Sequence, residues 1–128
     1  MIVINAEQLR GTPRDASGPG WQSVRMIVKG DGMGYSVHET RITEGAELEL
    51  EYKNHFETNY CVAGEGEVKD LNTGKTYPIK AGDIYALNLN DPHILRATKG
   101  DLHLLCVFNP PLNGDETHNA DGSYDVRD

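Results

Sequence analysis

Short β-prone runs separated by glycine turns constrain this chain more than any other feature. Val24–Lys29, Tyr35–Ile42, Glu47–Tyr52, Asn59–Val62, Glu67–Leu71, Tyr77–Ile79, Ile84–Leu87, Ile94–Ala97 and Leu102–Phe108 are alternating or β-branched. Between them stand Gly30-Asp-Gly32, Glu44-Gly45, Gly64-Glu-Gly66, Asn72-Thr-Gly74 and Lys80-Ala-Gly82. Strands this short, repeating every 8–12 residues or roughly so, predict an all-β sandwich or barrel, a jelly roll with little helix. No long stretch repeats its apolar residues with helical period; Glu7–Arg10 reads as one helical turn. Asn72–Lys75 reads as a hairpin turn, where glycine supplies the positive φ. Gly11–Gly20, with two prolines and three glycines, reads as a loop. The tail from 109 to 128 opens on Asn-Pro-Pro, which ends a central strand. It is either disordered or folded back as a lid.

The 128 residues make one domain, 1–128, with no internal repeat. A net charge of −8, from 12 basic and 20 acidic residues, is the wrong sign for a nucleic-acid partner. No apolar run reaches the roughly 20 residues that span a bilayer. The N-terminus lacks the basic-then-apolar pattern of a signal peptide, so the expected location is cytoplasmic. Cys61 and Cys106 lie in apolar runs without a Cys-x-x-Cys pair, as buried reduced thiols do.

Between Gly45 and Leu89 the chain carries G-x₁₁-E-x₆-G, from Gly45 through Glu57 to Gly64, then G-x₇-G-x₂-Y, from Gly74 through Gly82 to Tyr85. The frame is similar to that of cupins, double-stranded β-helix barrels whose motifs supply three histidines and a glutamate to a metal. Here Glu51, Lys53 and Tyr85 stand in the histidine positions, and Glu57 alone is kept. Glu57, Tyr85 and His93 make an O,O,N set suited to a ferrous or zinc-like ion with open positions. The plainer reading makes Tyr85 a core aromatic and His93 a surface residue at a strand end. Arg25 interrupts an apolar strand; it either forks a substrate carboxylate or, taken alone, faces outward from an edge strand. Trp21, Thr40 and Tyr52 complete that second set, and His55 is expected to line the cavity. Glu116 and His118 are solvated unless the tail closes over the barrel mouth, and His38 and His103 read as structural.

Six stretches go further: Asp31-Gly-Met-Gly-Tyr-Ser36, Tyr52-Lys-Asn-His-Phe-Glu57, Tyr60-Cys-Val-Ala-Gly-Glu-Gly-Glu67, Tyr85-Ala-Leu87, His93-Ile-Leu-Arg-Ala97 and Cys106-Val-Phe-Asn-Pro-Pro-Leu-Asn-Gly114. Through them the chain resembles the ectoine synthase family along nearly its whole length. Glu51 stands where an aromatic is expected, and Thr58-Asn59 where a more apolar pair is expected. The resemblance implies a cupin that closes N-γ-acetyl-L-2,4-diaminobutyrate into ectoine with loss of water, an osmoprotectant synthesis. It implies Fe(II) on Glu57, Tyr85 and His93, donors that also accept Zn, Co or Mn. Substrate contacts follow from Trp21, Arg25, Thr40, Gly64, Leu87 and Phe108, with Tyr52, His55, Glu116 and His118 as candidates for proton transfer. It implies a homodimer with its barrels side by side. The reaction is not redox, and no NAD, flavin or ATP is expected. The alternatives are a non-catalytic small-ligand binder and an iron cupin of other chemistry, such as an oxygenase.

Overall fold

In the computed structural model, which describes residues 1–125, eight antiparallel strands join into one continuous sheet that wraps around a main core. They are β1 (Asp15–Gly18), β2 (Trp21–Ile27), β3 (Ser36–Ile42), β4 (Glu47–Leu50), β5 (Phe56–Asp70), β6 (Thr76–Lys80), β7 (Ile84–Ala86) and β8 (His93–Asn109). A four-residue helix, α1 (Ala6–Leu9), precedes them. Asn5 caps it by accepting from Glu7 N at 2.9 Å, while the Gln8 side chain accepts from Asn5 N at 3.1 Å.

The two long strands β5 and β8 lie at its centre, each with different neighbours along its two halves. Their first and last thirds pair across each other, from Phe56 with Asn109 to Asp70 with His93. The N-terminal half of β5 lies between β7 and β8, and its C-terminal half between β6 and β8. Likewise β8 takes β4 on its first half and β3 on its second. The strands bend together where the register slips, between Cys61 and Gly66, so both halves of each turn one face inward. Leu50, Val68, Ile79, Leu95, Leu102, Leu104 and Phe108 meet there in a single buried cluster. Ala6, Leu9 and Val24 form a smaller one under α1.

Three readings are corrected here. Gly64-Glu-Gly66 is not a turn between two strands but the bend within β5. Gly64 holds φ +81°, and a Cβ on it would collide with the Asp101 carbonyl; one on Gly66 would meet the Arg96 carbonyl. Glycine is demanded by backbone approach, not by chain reversal. For the same reason Ile94–Ala97 and Leu102–Phe108 are one strand. Nor is Gly11–Gly20 all loop, since β1 runs through it as an edge strand. Gly18, opposite Trp21, leaves the space that the indole fills. The Asn72–Lys75 hairpin stands as expected, with Gly74 at φ +76° and Gly74 N donating to Asp70 O at 2.8 Å.

The tail is irregular but seated. Leu112 N donates to Ser36 Oγ at 3.0 Å and Lys29 N to Leu112 O at 2.8 Å. Farther on, Lys53 pairs with Asp121 at 3.0 Å and Asn54 Nδ2 donates to Tyr124 O at 3.0 Å. The tail thus crosses the barrel mouth and delivers His118 and Tyr124 to it; the last part of the expected lid, residues 126–128, lies outside the described residues. Gly64→Ala should lower the unfolding free energy by about 2–4 kcal/mol, read from urea denaturation. An unchanged midpoint would show that the bend tolerates a side chain.

Candidate active site

Inward alternation on β5 puts Glu57, Asn59 and Cys61 on the core face. Asn59 is in register with Tyr85 on β7 and Cys106 on β8, and Glu57 with Phe108. These side chains, with Trp21, Thr40, Tyr52, His118 and Tyr124, line a cavity of about 30 Å³ inside the barrel. That is room for a water molecule or two.

Seven of the expected residues therefore come together: Trp21, Thr40, Tyr52, Glu57, Tyr85, Phe108 and His118. Arg25 and His55 lie in the wall behind. Leu87 and His93, with Tyr85, line an open groove of about 630 Å³ on the β6–β7 side, so Tyr85 is common to both spaces. Gly64 lies at the bend and is not among the cavity residues. Glu116 sits in the tail, its carboxylate accepting from Asn113 N at 2.7 Å, Gly114 N at 2.8 Å and Asp115 N at 3.1 Å. It closes a turn rather than facing the cavity.

Arg25 is not an outward-facing edge residue: it is 0% exposed. Its Nε donates to Ser23 Oγ at 3.3 Å and one terminal nitrogen to Tyr124 Oη at 3.3 Å; the other has no partner. Among the described residues no carboxylate pairs with it. A buried cation without an anion is costly, and an incoming carboxylate would relieve that cost.

His93 is buried as well, contrary to the surface reading. Its Nδ1–H donates to the Asp91 carbonyl at 2.9 Å, which leaves Nε2 buried with a free lone pair and no partner. A backbone carbonyl holding one ring nitrogen while the other is bare is the usual preparation of a ligating histidine. Burial holds its pKa below the ordinary histidine value, so the ring is neutral. Glu57 is 6% exposed and receives Asn59 Nδ2 at 2.8 Å. Burial pushes its carboxyl up to about 8 against the opposing hydrogen bonds of Asn59 and Cys106. Tyr85 is raised well above its usual value by burial and then by Glu57. Among the described residues no three His, Cys, Asp or Glu side chains form a metal cluster. Glu57, Tyr85 and His93 offer two oxygens and an imidazole nitrogen, a donor set whose chemistry suits a divalent ion; Tyr85 is the one of the three that lines both the cavity with Glu57 and the groove with His93.

Around Tyr52 the tail closes an aromatic stack. Tyr52 lies against Tyr124 with centroids 5.4 Å apart, and His118 against Tyr124 at 4.5 Å and edge-on to Trp21 at 4.9 Å. The Tyr52 hydroxyl and His118 Nε2 share a hydrogen bond at 3.0 Å. His55 packs edge-on to Phe108 at 5.9 Å, with Nδ1 unpartnered. Tyr124, Asn59 and Cys106 are not among the site residues expected from sequence, where Cys106 reads only as a buried thiol and Asn59 only as a departure from the family pattern. Asn59 carried a signal, as a polar residue two positions from Glu57 on a strand with period-two burial. Tyr124, the sole Phe, Trp or Tyr beyond Phe108, carried only that.

Burial, then Arg25 and His93, lower the His118 pKa from 6.5 to about 4. The unfolded chain accordingly takes up this proton first as pH falls. The stability that His118 adds is complete above its unfolded value and is lost as pH falls from 6.5 to about 4. The urea-midpoint difference between the native protein and His118→Gln should therefore shrink across that window. A difference that stays constant would mean that His118 titrates normally.

The whole chain, residues 1–128, matches the family model described as ectoine synthase. It is 51% identical over 126 residues to the L-ectoine synthase of Desulfosudis oleivorans, covering 98% of each chain. The crystal structure of ectoine synthase from P. lautus superimposes with a TM-score of 0.84 at 44% identity, over 89% of this chain and 81% of that one. The Cupin_2 domain of an XRE-family transcriptional regulator from Enterobacter cloacae, 15% identical, superimposes at 0.62 over 72% and 98%, a likeness of fold alone. A cupin barrel closed by its own tail, whole-length agreement in sequence and agreement in structure lead to one assignment: the chain belongs to the ectoine synthase family.

Proposed function

We propose that the protein closes N-γ-acetyl-L-2,4-diaminobutyrate into ectoine, releasing water, in a metal-dependent reaction. The observation that carries this reading is the whole-chain match to ectoine synthases; the interior geometry supports it. The α-amine attacks the acetamide carbonyl carbon, a six-membered ring forms, and two protons follow the carbonyl oxygen as it leaves as water. Both reacting groups belong to one molecule, so holding it folded is worth about 7–11 kcal/mol.

Arg25 takes the substrate carboxylate, exchanging its contact with the Tyr124 hydroxyl for a charged partner. Trp21, Thr40 and Phe108 shape the wall that bends the chain. Glu57, Tyr85 and His93 would hold Fe(II), with Zn, Co or Mn as ions the same donors accept. When bound there, the ion supplies Lewis-acid polarisation of an amide carbonyl. His118, its pKa lowered to about 4 by burial, is neutral at physiological pH and is hydrogen-bonded to the Tyr52 hydroxyl. The pair can therefore receive a proton from the attacking amine. Neutral His55, with one nitrogen uncommitted, is the second group able to carry a proton. Glu116 acts by holding the turn that leads to His118. Leu87 closes the groove side, and Gly64 acts through the bend rather than by touching substrate.

A homodimer suits the outside of the barrel. Tyr60, Ile84 and Leu105 are in register across β5, β7 and β8 and are 45%, 64% and 39% exposed, flanked by Phe56 and Val62. Two such faces would cover one another. We expect light scattering to give twice the 14.1 kDa chain mass, and Tyr60→Glu to give one chain mass. A native monomer would refute this.

Iron-loaded protein under nitrogen should convert the acetylated diaminobutyrate to ectoine, followed by NMR. Tyr85→Phe should lower bound iron and turnover together. With metal bound and no ring closure, the cyclase reading fails; dioxygen consumed with an oxidised product in place of ectoine would make the protein an oxygenase.

A further inference from the structure

Asn59 is 1% exposed, on the interior face of β5, and lines the cavity beside Glu57, Tyr85 and Cys106. Its Nδ2 is committed to Glu57 Oε1 at 2.8 Å; its Oδ1 is buried without a partner. A buried acceptor left unsatisfied costs about 1–3 kcal/mol, and native structures hold few of them. A β-branched apolar residue would fill the same strand position at no such cost. Holding Glu57 uses only one end of the amide and gives no reason for the other. The free oxygen is suited to a ligand that brings an N–H or O–H donor into the cavity.

We propose that Asn59 is a substrate-binding residue whose Oδ1 accepts the N–H of the acetamide, and that it selects an amide over the isosteric ester. The assignment rests on the cyclase reading. Under that reading the carboxylate goes to Arg25, on the Ser23 and Tyr124 side. The acetamide then falls at the Glu57 and Tyr85 end, where Asn59 lies between Tyr85 and Cys106 in register. The nitrogen bonded to the reacting carbonyl carbon carries one hydrogen, and Oδ1 is the uncommitted acceptor at that end. An ester presents an oxygen there instead, leaving two acceptors facing each other. A site built around a donor rejects the analogue that lacks it far more strongly than an apolar wall does.

The test compares N-γ-acetyl-diaminobutyrate as substrate with O-acetyl-L-homoserine, in which oxygen replaces that N–H, as competitive inhibitor of the iron-loaded enzyme. Asn59→Leu should raise KM for the amide about tenfold and leave the inhibition constant of the ester within about twofold. Disturbance of Glu57 or of metal content moves both constants alike, so their ratio isolates the N–H contact. Asn59→Val, a strand-former at the same interior position, repeats the measurement should the leucine variant fold poorly. Constants that shift together, or not at all, overturn the assignment alone. A native enzyme that turns over no amide overturns it together with the cyclase reading.

Discussion

Everything inside this barrel depends on two long strands bending in step. β5 and β8 pair from end to end, yet each takes different further neighbours on its two halves. A straight pair would make one flat ribbon with half its apolar side chains in water. The bend puts the backbone of β5 against the carbonyls of Asp101 and Arg96, a distance only residues without Cβ can accept. Gly64 and Gly66 thus decide whether Glu57 and Asn59 at one end of β5 face the same interior as Val68 at the other. β3, β4, β6 and β7 pair with one or other of them and inherit that geometry, and β2 and β1 follow through β3.

The interior so made is unusually polar for its size. Arg25, His38, His55, Glu57, Asn59 and His93 are all buried, and for His38, His55, Glu57 and His93 burial disfavours the charged form. Four of their polar atoms have no partner: one nitrogen of Arg25, His55 Nδ1, Asn59 Oδ1 and His93 Nε2. A barrel selected for stability would carry apolar residues there. Such local conflict is concentrated where binding energy can later relieve it.

Periodicity and turn chemistry made the fold legible. The alternation along β3, β5 and β8 shows which residues face inward, and Asn72-Thr-Gly74 announces a hairpin. What glycine does at a given place was less visible. Gly64 and Gly66 look like turn residues in one dimension, because collision with a neighbouring strand is a three-dimensional fact. Gly18 looked like loop because the ring it makes room for is three residues away. For the site, motif position brought Glu57, Tyr85 and His93 forward, and alternation on β5 extends to Asn59 by the same arithmetic. Arg25 was ambiguous, since one strand does not reveal which of its faces a second sheet will cover. Tyr124 was beyond reach: an irregular tail has no period, and its path depends on scattered contacts such as Lys53 with Asp121.

That seated tail also couples geometry to acid–base chemistry. With room for only a water or two, the interior holds little solvent while Tyr124 and His118 lie at its mouth. The proton affinities of Glu57 and His118 are those of groups kept out of water, the one raised and the other lowered. The contacts that fix the tail, Lys53 with Asp121 and Asn54 with Tyr124, therefore bear on a residue they do not touch: they help decide how dry Glu57 is, and so how readily it gives up a proton.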